Sequence, residues 1–344
     1  MIAKKEKGKT NLSDPSVTMR FLCLPGAYGS AKNFGVQLGP FAKHMEDRGL
    51  ATFAFTQGEH EVEPPLGWEN YFGSRPLYRF IDSAEGDAFE AVRRVRHIPR
   101  GLSPEATLRL FKADEPAGFN WGTFRDALDR LFKTIDEDTE IDGLIGYSEG
   151  AMMAASICAE ENRRWEESGI PRRIKFAIFF AGSPPLVSEG DKFVTKLADE
   201  HGTSIDIPTF HVFGSNDPLV YSSVALYNAC NQELAQLYDH GLGHLVPRDG
   251  DNVEQLGDTL SDVITKINKA QEAESLGRGG KGRSGSGSGP QTPVSEFTAD
   301  EYATGSSANG SAASSTGSTA ESDLDSRSSH GAAENEGVAK IQVK

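Results

Sequence analysis

The chain has 344 residues, a formal net charge of −15 and a hydrophobic share of 37%. That is room for one large domain or two small ones, with a surface too acidic to seek nucleic acid. No run approaches the ~20 apolar residues of a membrane span, and the polar, Lys-rich residues 1–18 lack the apolar core of a secretory signal and read as a disordered leader.

The first element, residues 20–24, is a short apolar strand. Residues 35–48 follow as a helix with Leu38, Phe41, Ala42 and Met45 on one face. Residues 50–55 form a second strand. Residues 57–120 then break the rhythm with Pro64-Pro65, Gly67-Trp68 and Tyr71-Phe72-Gly73. A long irregular stretch rich in aromatics reads as an ordered, cap-like cover over a site. Its Trp68, Tyr71, Phe72, Tyr78, Phe80 and Phe119, with Trp121, are candidates to line an acyl pocket, although core packing accounts for any one of them as well. Residues 124–136 return to helical spacing through Phe124, Leu128, Leu131, Phe132 and Ile135. Residues 141–147 form a strand, 151–162 a helix, and 174–181 and 207–213 two further strands. The strand at 174–181 shows no alternation, as a strand buried on both faces should. Residues 252–268 close the domain with an amphipathic helix. Strands alternating with helices predict a mostly parallel sheet with helices on both faces, an α/β class domain over residues 19–270. From 271 to 344 the chain is Gly, Ser, Ala, Thr and Glu with almost no large apolar side chain. It reads as a disordered tail, because it buries too little to offset its ordering entropy. Cys23, Cys158 and Cys230 are too far apart for a disulfide or zinc framework. As small buried hydrophobes they fit a reduced, cytoplasmic setting.

Gly146-Tyr147-Ser148-Glu149-Gly150 matches G-x-S-x-G. The pattern alone is weak, and a turn using Gly and Ser for conformational reasons would look the same. Here an apolar strand precedes it and a helical run follows, the context the motif requires. The sharp turn thrusts the Ser148 oxygen out of the sheet, and flanking glycines avoid clashes with strand and helix. A nucleophilic Ser needs a base, and the usual order is Ser, acid, His. Of the later histidines, His211 lies inside an apolar strand, His201 lacks sheet context and His330 is in the tail. His244, in Gly243-His244-Leu245-Val246-Pro247, is the candidate base, with His240 as the alternative. The acid belongs in a loop past a late strand, where Asp217 sits in Gly214-Ser215-Asn216-Asp217-Pro218. It would fix the His tautomer and stabilise the imidazolium. Asp249 and Asp251 follow His244 too closely to reach round it. The oxyanion donors expected are the backbone N–H groups of Glu149 and, from the loop after the first strand, of Ala27, with Tyr28 as second choice.

Phe21-Leu22-Cys23-Leu24-Pro25-Gly26-Ala27, the Ser148 pentapeptide, Gly214 to Pro218 and Gly243 to Pro247, in this order, resemble the fungal FSH family of serine hydrolases over about residues 19–268. The resemblance implies one α/β-hydrolase domain with a Ser-Asp-His triad. Its members include small esterases and the thioesterases that release polyketides from their synthases in fungal secondary metabolism. The chain departs from the family pattern at Pro25-Gly26, where His-Gly is usual. That His is not the base, so the departure touches the oxyanion loop and leaves the triad alone. The long tail is also outside the pattern. The expected activity is acyl transfer from a small-molecule ester or an acyl thioester, carrier-bound polyketides included, with no metal or organic cofactor, no nucleic-acid partner and no membrane contact. The competing expectation is a catalytically inactive binding or scaffold protein on the same fold. Oligomeric state is open at this level.

Overall fold

The structure, a computed structural model, describes residues 18–68, 71–82, 97–99, 101–113, 120–190 and 192–279. The leader before Thr18, the tail beyond 279 and the cap stretches 83–96 and 114–119, Phe119 among them, lie outside the described residues.

Strand β1 (Met19–Leu24) shows why the apolar runs lack alternation. Met19, Phe21 and Cys23 join one core cluster, while Leu22 and Leu24 join another. Successive side chains point to opposite faces, and both faces are covered. Ser30 then caps α1 (Ala31–Asp47), its hydroxyl accepting from the Asn33 amide at 3.1 Å. β2 (Ala51–Phe55) pairs beside β1. The cap-like region contributes an antiparallel hairpin, β3 (His60–Val62) and β4 (Leu77–Arg79), and a helix, α2 (Pro104–Ala113). Asn120 caps α3 (Trp121–Glu137). β5 (Ile141–Tyr147) leads into α4 (Glu149–Ser168), which ends on Gly169 at φ 65, a left-handed position that suits glycine. β6 (Phe176–Phe180) is followed by a second hairpin, β7 (Leu186–Glu189) and β8 (Lys192–Thr195), and a single turn, α5 (Ala198–His201). β9 (Thr209–Phe213), α6 (Val220–Asn228), β10 (Ala235–Asp239) and α7 (Gly250–Gly279) complete the order.

Six strands form one sheet in the order β10-β9-β6-β5-β1-β2, every neighbouring pair parallel. On one face α1 and α7 bring Phe34, Leu38, Phe41, Leu256, Leu260 and Ile264 against Phe21, Ile178 and Phe210. On the other, α3 and α4 bring Phe124, Leu131, Met153 and Ile157 against Leu22, Leu144 and Phe179. This is the α/β-hydrolase arrangement, and it places the C-terminal ends of all six strands along one edge.

Three differences from the sequence reading have physical causes. β10 is an edge strand with Leu237 43% exposed, so it lacks a continuous apolar run. The region read as irregular holds the short β3–β4 pair and α2, whose apolar signal is diluted by the charge and proline around it. Helix α7 runs on to Gly279, past the expected tail start at 271. Gln271 to Leu276 are mostly good helix formers, and propensity alone extends a helix that packing has already nucleated.

Buried His211 gives the fold an acid sensitivity. It lies within β9, with Nε2 3.0 Å from the Thr209 hydroxyl and its ring against Phe179 and Tyr227. Burial holds its pKa down at about 3, against roughly 6.5 in an unfolded chain. Between those values the unfolded chain binds the extra proton, so stability falls as pH drops from about 6.5 towards 3. Buried His240, also depressed by burial, acts in the same direction. The urea midpoint should therefore fall steeply between pH 6.5 and 4, and less steeply in His211→Gln. Equal slopes for the two proteins would refute this origin.

Candidate active site

Parallel strands set the site. The loop after β1 carries residues 25–30, Ser148 follows β5, Asp217 follows β9 and His244 follows β10. All four segments leave the same edge of the sheet, so positions far apart in sequence converge without long excursions.

Ser148 sits between β5 and α4 with φ 53 and ψ −115, backbone values that L-residues rarely adopt. Its amide donates to Phe180 O at 2.9 Å, and its carbonyl accepts from the Ala151 and Met152 amides at the start of α4. The turn is tight enough to exclude side chains on either side. A Cβ on Gly146 would lie 2.4 Å from Ala151 Cα, and one on Gly150 would lie 2.2 Å from Leu24 O.

The His244 ring lies between the other two groups. Its Nε2 is 3.0 Å from Ser148 Oγ, and its Nδ1 is 2.7 Å from Asp217 Oδ2. Nδ1–H donating to the carboxylate leaves Nε2 as acceptor for the Ser hydroxyl. The Asp217 side chain is fully buried, while His244 keeps 28% exposure. The second carboxylate oxygen, Oδ1, accepts from the Leu219 amide at 2.8 Å, which fixes its rotamer. The loops bearing Asp217 and His244 are laced together. Asn216 N donates to Leu242 O at 3.1 Å and Asn216 Nδ2 to Gly241 O at 2.7 Å. The Ser215 and Gly241 amides share Asp239 Oδ1. A Cβ on Gly214 would lie 1.9 Å from Leu242 O, so the loops touch at backbone distance.

The alternative base, His240, is buried beneath this junction. Its Nδ1 accepts from the Leu242 amide at 3.2 Å, and its ring lies against Gly214. It supports the base loop and does not meet Ser148.

The segment 25–30 passes directly beside Ser148. A Cβ on Gly26 would lie 3.1 Å from Ser148 Cβ and 3.0 Å from the Tyr147 ring. The turn is closed by Gly29 N donating to Gly26 O at 3.0 Å, with Tyr28 left-handed at φ 60. Ala27 therefore lies in a loop against the Ser148 turn. Glu149 is the first residue of α4, where a backbone N–H has no acceptor within the helix.

Two features were not apparent from the sequence. The Tyr147 hydroxyl donates to His244 O at 3.0 Å, and its ring packs 5.4 Å from the imidazole. Burial raises the phenol's pKa, so it remains a donor. It ties the His244 loop to the turn bearing Ser148. The other feature is the Glu149 side chain. Its Oε2 accepts from Arg79 Nε at 2.9 Å, and its Oε1 accepts from the Phe80 and Ile81 amides at 2.6 and 3.3 Å. Glu is ordinary at a helix start, so only the fold reveals these partners.

Of the aromatic candidates, Phe72, Tyr71 and Trp68 form a run of ring contacts 4.8 to 5.1 Å apart that ends on Tyr28 in the loop 25–30. Phe80 belongs to the core beside α3. Among the described residues, no group of three or more His, Cys, Asp or Glu is placed to hold a metal ion, and no helix is long and apolar enough to cross a membrane.

Comparison with known proteins gives a consistent result. The family model for "Serine hydrolase (FSH1)" matches residues 15–256. Esterase FPY3 of Fusarium mangiferae is 34% identical over 145 residues, which span 41% of this chain and 64% of that protein. Hydrolase phiM of Talaromyces stipitatus is 28% identical over 236 residues, covering 67% of this chain and 82% of the relative. Esterase OVCA2 of Homo sapiens is 28% identical over 237 residues, covering 67% and 89%. Among solved structures, Arabidopsis thaliana SOBER1 is similar with a TM-score of 0.41 at 15% identity, over 73% of this chain and 99% of that one.

Proposed function

Since the chain belongs to the serine hydrolase (FSH1) family, we propose that it cleaves a carboxylic ester or an acyl thioester through an acyl-enzyme on Ser148. The observation carrying this reading is the Ser148–His244–Asp217 relay, with its 3.0 and 2.7 Å contacts and its fully buried acid. Ser148 Oγ attacks the carbonyl carbon while His244 Nε2 takes its proton. Asp217 stabilises the imidazolium that forms. The carbonyl oxygen becomes an oxyanion facing the Glu149 N–H and the Ala27 N–H of the adjoining loop. His244 returns the proton to the departing alcohol or thiol. It then activates a water that releases the acid and regenerates Ser148.

An acyl substrate is supported by the surroundings of the relay. The exposed rings of Trp68 and Tyr71 and the aliphatic Leu242 and Leu245 offer apolar surface for an acyl chain. We place the protein in release of small acyl products of fungal secondary metabolism, with a carrier-bound polyketide thioester as the most demanding candidate. Three buried, unpaired cysteines favour a cytoplasmic setting. We assign catalysis to a domain over residues 19–270, a reading supported by the site residues and core clusters lying inside those bounds.

The test is fluorophosphonate labelling of the full chain beside turnover of p-nitrophenyl esters and acyl thioesters of matched chain length. Labelling with ester or thioester turnover is expected, and the ratio of the two rates ranks the leaving groups. Protein that is folded yet neither labels nor turns over any of them refutes the proposal.

A further inference from the structure

We propose that Arg79 neutralises the Glu149 carboxylate so that the N-terminus of α4 stays positive for the oxyanion. This rests on the acyl-enzyme reading above. Arg79 acts through Glu149 and is a positioning residue.

The argument starts from a conflict. A helix N-terminus carries roughly half a positive charge from its aligned peptide dipoles. That field is what an oxyanion beside the Glu149 N–H would use. An acidic side chain at the first helical position stabilises the resting helix by drawing on the same field. Glu149 is such a residue, immediately after the nucleophile. Its side chain is only 7% exposed, so water screens it poorly. Left alone, its charge would oppose the negative charge that develops on the substrate oxygen.

The structure supplies the compensation from a separate element. Arg79, the last residue of β4, donates from Nε to Glu149 Oε2 at 2.9 Å, and its side chain is itself 18% exposed. The guanidinium lies 6.0 Å from the centre of the Tyr28 ring, in the loop that carries Ala27. The Phe80 and Ile81 amides share the other carboxylate oxygen. A cation and two N–H dipoles therefore converge on one carboxylate between the cap hairpin, the oxyanion loop and the nucleophile turn.

The charge role and a simple latch role predict different outcomes. Kinetics with p-nitrophenyl acetate on the full-length wild type, Arg79→Met, Glu149→Gln and the double variant separate them, with thermal midpoints recorded for each. Arg79→Met should lower kcat about 100-fold, the scale of losing one oxyanion donor, with KM within about threefold. Adding Glu149→Gln should restore at least about tenfold of that loss, since the amide still accepts from Phe80 and Ile81 but carries no charge. A latch predicts no rescue, because both variants lack the ion pair. Failure of the double variant to exceed Arg79→Met, or an Arg79→Met kcat within about twofold of wild type, overturns the proposal. Should Arg79→Met not fold, the double variant decides alone: kcat within about tenfold of wild type supports charge compensation, and a larger loss overturns it. Wild-type protein that never acylates removes the acyl-enzyme reading and this inference together, and does so before any variant is compared.

Discussion

Ser148→Ala is expected to lower kcat by about 10⁶-fold while leaving the thermal midpoint unchanged. The relay has one oxygen positioned against His244 Nε2, at 3.0 Å, and alanine removes it without altering the backbone demand at φ 53 and ψ −115. Residual rate over water comes from the oxyanion donors and from substrate binding, which persist. His244→Ala should cost nearly as much, and the two together should cost little more, because the groups act as a unit. Asp217→Asn keeps the shape of the buried side chain but reverses the preferred donor at His244 Nδ1, and a loss of about 10⁴-fold is expected. Single-turnover kinetics on a p-nitrophenyl ester measure all three. A Ser148→Ala protein retaining a tenth of wild-type turnover would remove Ser148 as nucleophile. Ser148→Gly separates strain from chemistry: it should be as inactive as alanine yet more stable by about 1 kcal/mol or more, because glycine adopts that backbone region without penalty.

Gly150→Ala is expected to be strongly destabilising. Its Cβ would lie 2.2 Å from Leu24 O and 2.4 Å from Pro25 O. Neither is the tip of a side chain that can swing away. Leu24 ends β1 and is registered against Gly146 of β5, so the clash is met by the centre of the sheet. Overpacking against backbone should cost about 3 kcal/mol or more. Whatever relief the chain finds must move the loop carrying Ala27, so kcat should fall as well. The control is Gly35→Ala inside α1, where an added Cβ meets only the Phe55 ring, at 3.9 Å. That change should stabilise by about 0.5–1 kcal/mol. Urea denaturation of the three proteins tests the contrast, and a Gly150→Ala midpoint equal to wild type would refute it.

What could be read from the residues was what is chemically constrained in one dimension. Gly146 and Gly150 are required by a turn that leaves no room for side chains, so Ser148 stood out. Phe176 to Phe180 is apolar throughout because both faces are covered, so the central strand was legible too. Asp217 and His244 were legible as candidates because a parallel sheet delivers its loops to one edge in a fixed order. The edge strand β10, half exposed, offered no such pattern. Arg79 was invisible for a different reason. It lies in a short hairpin of mixed composition, and its partner is 70 residues away, a pairing that only the packing of β4 against the nucleophile turn creates. The Tyr147 hydroxyl reaches His244 O across 97 residues and was equally unreadable.

The all-parallel sheet also governs when this protein becomes competent. Ser148 and His244 are separated by 96 residues, and His244 and Asp217 by 27. Parallel neighbours have no hairpin to start from, so loop-closure entropy is met before pairing rewards it, and such high contact order slows folding. The relay therefore comes into register only when β9 and β10 have docked beside β6. Reactivity towards a fluorophosphonate then becomes a clock for the last step of refolding: it should lag behind the recovery of helical signal and coincide with burial of the final strand.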